Sequence, residues 1–273
     1  DGDLWISNGN LLTNLSGLNQ LTYVGTLLLD ANPGLVQVTG LNSVDTIGYI
    51  NFRDNPALQQ LNGFGQLTTV LSDIWLWNNG QANSFKAFNQ LKFVGNEINI
   101  NGSWQAPDLS DFQKLEHVGG NMLIASAYNL TNLQGLGKLR HIGGIGIIWC
   151  DNLTSLHGLD SLTEIGIFGI NSCHKITNFE GLEQVKSMHR ALLAVNCPEL
   201  LNMNGLGGLD TLGDLYIENC AKLETLTGLG PVKSLDTVAI IWNGATTPLH
   251  NLRGLDSVRT ITGDLILQYL PQL

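Results

Sequence analysis

Positive charge is scarce in this sequence. Lys and Arg number 13 in 273 residues against 23 Asp and Glu, a net charge of −10 at pH 7. The few cations are scattered, so no basic stripe can track a phosphate backbone and no nucleic-acid partner is expected. No apolar run approaches the roughly 18 residues that cross a bilayer, so no membrane span is expected in this segment. The N-terminus lacks a charged-then-apolar leader and already reads as a strand. Also missing are Gly-x-Ser-x-Gly, His-Glu-x-x-His, a phosphate loop and the Cys-x-x-Cys spacing of a zinc site. The chain is therefore read as non-catalytic, with no cofactor and no metal. What it does have is 43% hydrophobic residues, 32 Gly and abundant Asn. That is enough apolar matter for a continuous core, joined by tight turns.

The organising pattern is a repeat, clearest over Gly213–Leu235. Its start alternates, Leu215 and Ile217 against Asp214, Tyr216 and Glu218, as a half-buried strand does. The remainder places Leu223, Leu226, Leu229, Val232 and Leu235 at every third position. A period near 3 is too tight for an amphipathic α-helix and suits turns and 3₁₀ pieces that each aim one residue inward. One strand and one ribbed return path make one coil.

Aligning the copies by their first inward strand residue gives Leu4, Leu27, Ile50, Ile74, Ile98, Met122, Gly146, Phe168, Leu192, Leu215, Val238 and Leu265. In step with them recur Gly-Leu pairs, from Gly17-Leu18 and Gly40-Leu41 to Gly228-Leu229 and Gly254-Leu255, with Gly63-Phe64 as a variant. So even a spacing over the whole length predicts an all-β solenoid across residues 1–273, a single unit with one long parallel sheet. At about 4.8 Å per coil, twelve 23–24-residue coils would extend about 55 Å. The pattern fails at Asn78–Gln90, Gly102–Pro107 and Gly244–Pro248, where loops are expected. Neither end shows a polar cap, which reads as a segment of a longer array.

The G-L-x-x-L-x-x-V-G-G-x-L-x-I unit resembles the leucine-rich-repeat-related solenoid of receptor L domains, as in the insulin and epidermal growth factor receptors. Similar repeats occur in lipid-anchored fungal cell-wall proteins and secreted bacterial surface proteins. The resemblance implies a right-handed L-domain-like β-helix and an extracellular or cell-surface setting. Receptor L domains are shorter and flanked by Cys-rich modules, neither of which is seen here.

Cys173, Cys197 and Cys220 share one corner position, three residues past the second inward strand residue, with Asn32, Asn55, Asn79 and Asn243. A buried ladder donating to backbone carbonyls is expected there. Disulfides pairing Cys150 with Cys173 and Cys197 with Cys220 are the alternative, since adjacent coils lie within bridging range. His117 and His141 are equivalent in successive coils but lack a third ligand. Carboxylates such as Glu180, Glu183, Glu199, Asp210, Asp214, Glu218 and Glu224 gather late in the chain. A polysaccharide-acting β-helix would need two of them paired in a groove. Four sequons, at Asn14, Asn101, Asn129 and Asn152, mark candidate glycan sites.

The outward strand face carries the functional expectation. Leu123, Ile145, Ile147, Trp149, Ile167, Leu193 and Val195 would form an apolar strip, anchored by aromatics at Trp75, Trp77, Trp149 and Tyr216. Such a strip reads as an interface for a protein partner in recognition or adhesion. Self-assembly into oligomers or filaments is one alternative, and carbohydrate stacking on the aromatics is another.

Overall fold

A computed structural model describes residues 2–80, 86–102, 105–242 and 248–273. It is a nearly all-β parallel solenoid of about 11 turns. Twelve passes build the main sheet: β1 (Leu4–Ser7), β2 (Tyr23–Asp30), β3 (Thr46–Arg53), β4 (Ile74–Trp77), β5 (Ile98–Asn101) and β6 (His117–Ala125). The series continues with β7 (His141–Ile148), β8 (Glu164–Asn171), β9 (Ser187–Val195), β10 (Thr211–Glu218), β11 (Val238–Ile241) and β12 (Leu265–Gln268). Each pairs in parallel with the next, from Leu4 beside Leu27 to Val238 beside Leu265. The two-residue segments Thr69–Val70 and Phe93–Val94 extend the same sheet.

Two inward side chains on each internal pass fill the core. Leu27 and Leu29, Ile50 and Phe52, Met122 and Ile124, and Leu215 and Ile217 are all buried. The every-third-residue ribs meet them from the other side: Leu223, Leu226, Leu229, Val232 and Leu235 are buried too. Where the Gly-Leu pair is lost, short 3₁₀ turns at Lys86–Phe88 and Ser110–Phe112 still deliver an apolar ring inward. Phe88 and Phe112 stack with centroids 5.4 Å apart. Full burial of each such side chain is worth about 1.5–3 kcal/mol.

Two backbone devices turn the coil. The glycine of each Gly-Leu pair has positive φ, 125° at Gly158, and a Cβ there would sit 2.1 Å from the Leu133 carbonyl oxygen of the preceding coil. Only glycine meets both demands. The strand is ended by a residue in the left-handed region, φ 53° at Asp54, Trp149 and Asn219. Its amide donates to the next coil, as Asp54 N does to Trp77 O at 3.1 Å.

One register expectation is corrected. Met122 pairs with Ile145, and Ile145 with Phe168, so Ile145 rather than Gly146 opens the seventh coil. Ile145 and Ile147 are 1% and 0% exposed and belong to the core, not to an outward strip. The stretch Ile142-Gly-Gly-Ile-Gly-Ile-Ile148 alternates in either phase. Glycine has nothing to bury, so the branched side chains of Ile145 and Ile147 take the inward positions. Trp149 consequently leaves the strand and becomes the left-handed corner residue, 53% exposed.

Candidate functional site

The same correction completes the corner ladder. Cys150 lies three residues past Ile147 and so joins Cys173, Cys197 and Cys220. Asn32, Asn55 and Asn79 are fully buried. Asn55 Nδ2 donates to Leu29 O (3.0 Å), Arg53 O (2.9 Å) and Asn79 Oδ1 (2.9 Å). The four cysteines are free and buried, and their thiols take over the donation, Cys173 Sγ to Ile147 O and Asn171 O at 3.6 Å each. Burial pushes the Cys173 thiol up to about 11 and those of Cys150 and Cys220 to about 12. Such thiols are structural, not nucleophilic. Asn243 lies outside the described residues, as do Ser103 of the Asn101 sequon and most of the expected loop at Gly244–Pro248. Of the Asn78–Gln90 stretch, residues 81–85 are likewise outside.

The other polar groups flagged by the sequence are dispersed. His117 and His141 stack face to face, centroids 4.5 Å apart, below Phe93 at 4.8 Å. Burial and the neighbouring His141 lower the His117 pKa. No group of three His, Cys, Asp or Glu able to hold a metal occurs among the described residues. Several of the late carboxylates have separate partners. Glu183 accepts from Gly181 N at 3.0 Å, Glu199 pairs with Lys222 at 2.7 Å, and Asp214 accepts from Thr237 N at 2.9 Å. Asn129 is exposed. Asn152 Nδ2 donates to Tyr128 O at 2.6 Å, and Asn14 Oδ1 accepts from Ser16 N at 2.9 Å.

The outward face is laid out by the strand register. One column runs Asn51, Trp75, Asn99, Leu123, Gly146, Gly169, Leu193 and Tyr216. Beside it run Arg53, Trp77, Asn101 and Ala125. Trp75 and Trp77 stand side by side on β4, 39% and 54% exposed. Tyr49 meets Trp75 edge-on at 6.2 Å and 72°, and Asn51 Nδ2 holds the Tyr49 hydroxyl at 3.0 Å. Arg53, cross-strand from Trp77, is bidentate on Asp30 at 2.9 and 3.1 Å.

Leu123, Ile167, Leu193 and Val195 do point outward, but they are half-buried. They lie down over glycines of neighbouring coils. A Cβ on Gly144 would come 2.2 Å from Ile167 Cγ2, and one on Gly146 would come 3.3 Å from Leu123 Cδ1. This leaves a trough of about 280 Å³, lined by Glu97, Asn99, Asn121, Leu123, Gly144 and Ile167 among others. Tyr216 is six coils on from Trp75, about 29 Å along the column, and its hydroxyl donates to Glu218 Oε2 at 2.7 Å. Trp149 stands at the corner. The structure thus groups Trp75 and Trp77 with the trough and leaves Trp149 and Tyr216 apart. Sequence reading missed Tyr49, Glu97 and Asn121. Their signal was the position before the first inward residue, which the register makes a third outward column.

No helix among the described residues is long and apolar enough to cross a membrane. No family model, curated protein or solved structure matches the chain.

Proposed function

We propose that the chain is a non-catalytic recognition module of extracellular or cell-surface type, engaging its ligand on the outward sheet face at Trp75 and Trp77. One observation carries the reading. Two large aromatic rings stand exposed and adjacent on a strand whose alternate residues, Ile74 and Leu76, are locked in the core. A rigid aromatic pair presented to solvent is the composition of a binding hot spot. The apolar strip expected over the sixth to ninth coils supports the reading less, because its side chains already cover one another. A relationship to receptor L domains belongs to the same proposal and rests on the recurring Gly-Leu pairs. Secretion belongs to it as well and rests on the sequons, with Asn129 exposed and its amide donating to Gln105 O at 3.2 Å and Gln105 Oε1 at 3.0 Å.

Arrays of glycans and of extracellular protein domains, probed with the wild-type chain and with Trp75→Ala/Trp77→Ala, test the proposal. Ligands of the wild type should be lost by the double variant while its circular dichroism and thermal midpoint stay unchanged. Retention of all ligands by a folded double variant would refute the site.

A further inference from the structure

The ligand class can be taken further, on the reading that Trp75 and Trp77 form the site. We infer that this face binds a neutral, β-linked polysaccharide lying along the solenoid axis, from the tryptophan pair into the glycine trough.

The aromatic pair supplies the platform. The flat C–H face of a β-linked pyranose, with its hydroxyls equatorial, stacks on an aromatic ring through the same apolar and polarisation forces that pair aromatic side chains. Trp75 heads the column that runs along the axis into the trough, and Trp77 widens the platform about 6.7 Å to its side along the strand. Tyr49, fixed by Asn51, buttresses the Trp75 ring from one edge.

The trough supplies the polar partners. Glu97, Asn99 and Asn121 line it, and their side chains make no hydrogen bond within the described chain. Their neighbours do: Asn96 Nδ2 is bound to Asp73 Oδ1 at 2.7 Å, and Asn51 to Tyr49. Two amides and a carboxylate together offer donors and acceptors, and a sugar hydroxyl needs both. Beneath them Gly146 and Gly169 carry no side chain, which leaves room for rings against the apolar walls of Leu123 and Ile167.

Spacing and charge narrow the class. Coils recur about every 4.8 Å, close to the length of one sugar unit, so a linear polymer along the axis meets successive coils in register. Asp30, Asp73 and Glu97 border the site. The cation beside Trp77, Arg53, is already held by Asp30. A uronate or sulfated chain would be repelled, whereas a neutral one is not. A protein partner would instead call for a wider apolar core around the indoles, inside a polar rim. Here the flanking positions are Asn51, Arg53, Asn99 and Asn101.

The test is titration with β-1,3- and β-1,4-linked glucohexaose and N-acetylglucosamine hexaose, the matching disaccharides, and polygalacturonate and heparin, read by tryptophan fluorescence and calorimetry. At least one neutral hexasaccharide should bind at least about ten-fold more tightly than its disaccharide, because it spans several coils. The polyanions should not bind. Trp75→Ala should weaken the hexasaccharide about ten-fold. Asn99→Ala and Glu97→Gln should weaken it several-fold, with thermal midpoints unchanged. The inference is overturned if no neutral hexasaccharide binds at millimolar concentration, if polyanions bind better, or if Trp75→Ala binds as the wild type does. If the sugars fail but a protein ligand is lost on Trp75→Ala/Trp77→Ala, the sugar class falls and the recognition site stands. Sugar binding indifferent to both tryptophans would remove the site itself.

Discussion

At the scale of single residues, the corner of the coil shows how one position can accept unlike side chains. Asn and Cys are interchangeable there because the site asks for a small buried donor. Asn55 answers with an amide and Cys173 with a thiol. The thiols link stability to pH. A thiol whose folded pKa is raised keeps its proton in the fold, so its contribution is complete below the ordinary value of 9.0 and is lost as pH rises from there towards 11 to 12. The denaturant midpoint should therefore fall between about pH 9 and pH 11, and Cys173→Ala should flatten that fall. The same thiols should resist iodoacetamide until the chain unfolds. Trp149 makes a second case. A bulky residue at φ 53° is strained by about 1 kcal/mol relative to asparagine or glycine. Trp149→Asn, a residue that other corners already use at Asn78 and Asn219, should raise the thermal midpoint. An unchanged or lower midpoint would show that the exposed indole makes a compensating contact.

At the scale of the element, the strand and its return path were legible because each imposes its own period on the apolar residues. Eleven of the twelve strand phases followed from the alternation and the even spacing of the coils. The phase failed only at the seventh coil, where Gly143, Gly144 and Gly146 remove the polar half of the alternation. That one slip hid Cys150 from the ladder, exposed Ile145 and Ile147 on paper, and made a corner residue of Trp149 look like a strand anchor. The proposed binding face was legible where it consists of large residues, Trp75 and Trp77. It was illegible where it consists of missing side chains, since a trough made by Gly146 and Gly169 leaves no pattern until neighbouring strands are set side by side. The turn glycines are a stricter matter. Gly158→Ala would place a Cβ against Leu133 O in a left-handed conformation, at a cost of about 2 kcal/mol or more. Gly137→Ala, whose nearest neighbour would be an Asp160 carboxylate oxygen at 3.6 Å, should be near neutral. Chemical denaturation of the two variants measures the difference.

At the scale of the whole molecule, each coil touches chiefly its two neighbours, so stability is a sum over coils and their contacts. Register, more than composition, is then the global constraint. Leu192 and Leu215 are direct partners in adjacent strands. Removing Leu192–Asp214 therefore joins Ala191 to Leu215 in phase, sets Phe168 beside Leu215 and keeps Cys173 above Cys220. This shortened chain should retain β-sheet circular dichroism and cooperative unfolding. A deletion of half that length from the same place should not, because it would set a strand against a return path and leave one coil unable to close on its neighbour.

The asparagine column also bears on how the protein ages. Loss of ammonia from an asparagine side chain begins with attack by the backbone nitrogen of the next residue. Asn32 and Asn55 are followed by Pro33 and Pro56, whose nitrogens have no proton and cannot attack. Asn79 is followed by Gly80, the least hindered neighbour an asparagine can have. In the folded chain the Asn79 amide is tied down, donating to Phe52 O at 2.9 Å and accepting from Asn55 at 2.9 Å. Once unfolded it is free to react, and the aspartate formed would turn a negative charge towards the Phe52 carbonyl. Prolonged heating should thus leave a fraction that no longer refolds, marked by a one-dalton gain at Asn79 and at neither Asn32 nor Asn55.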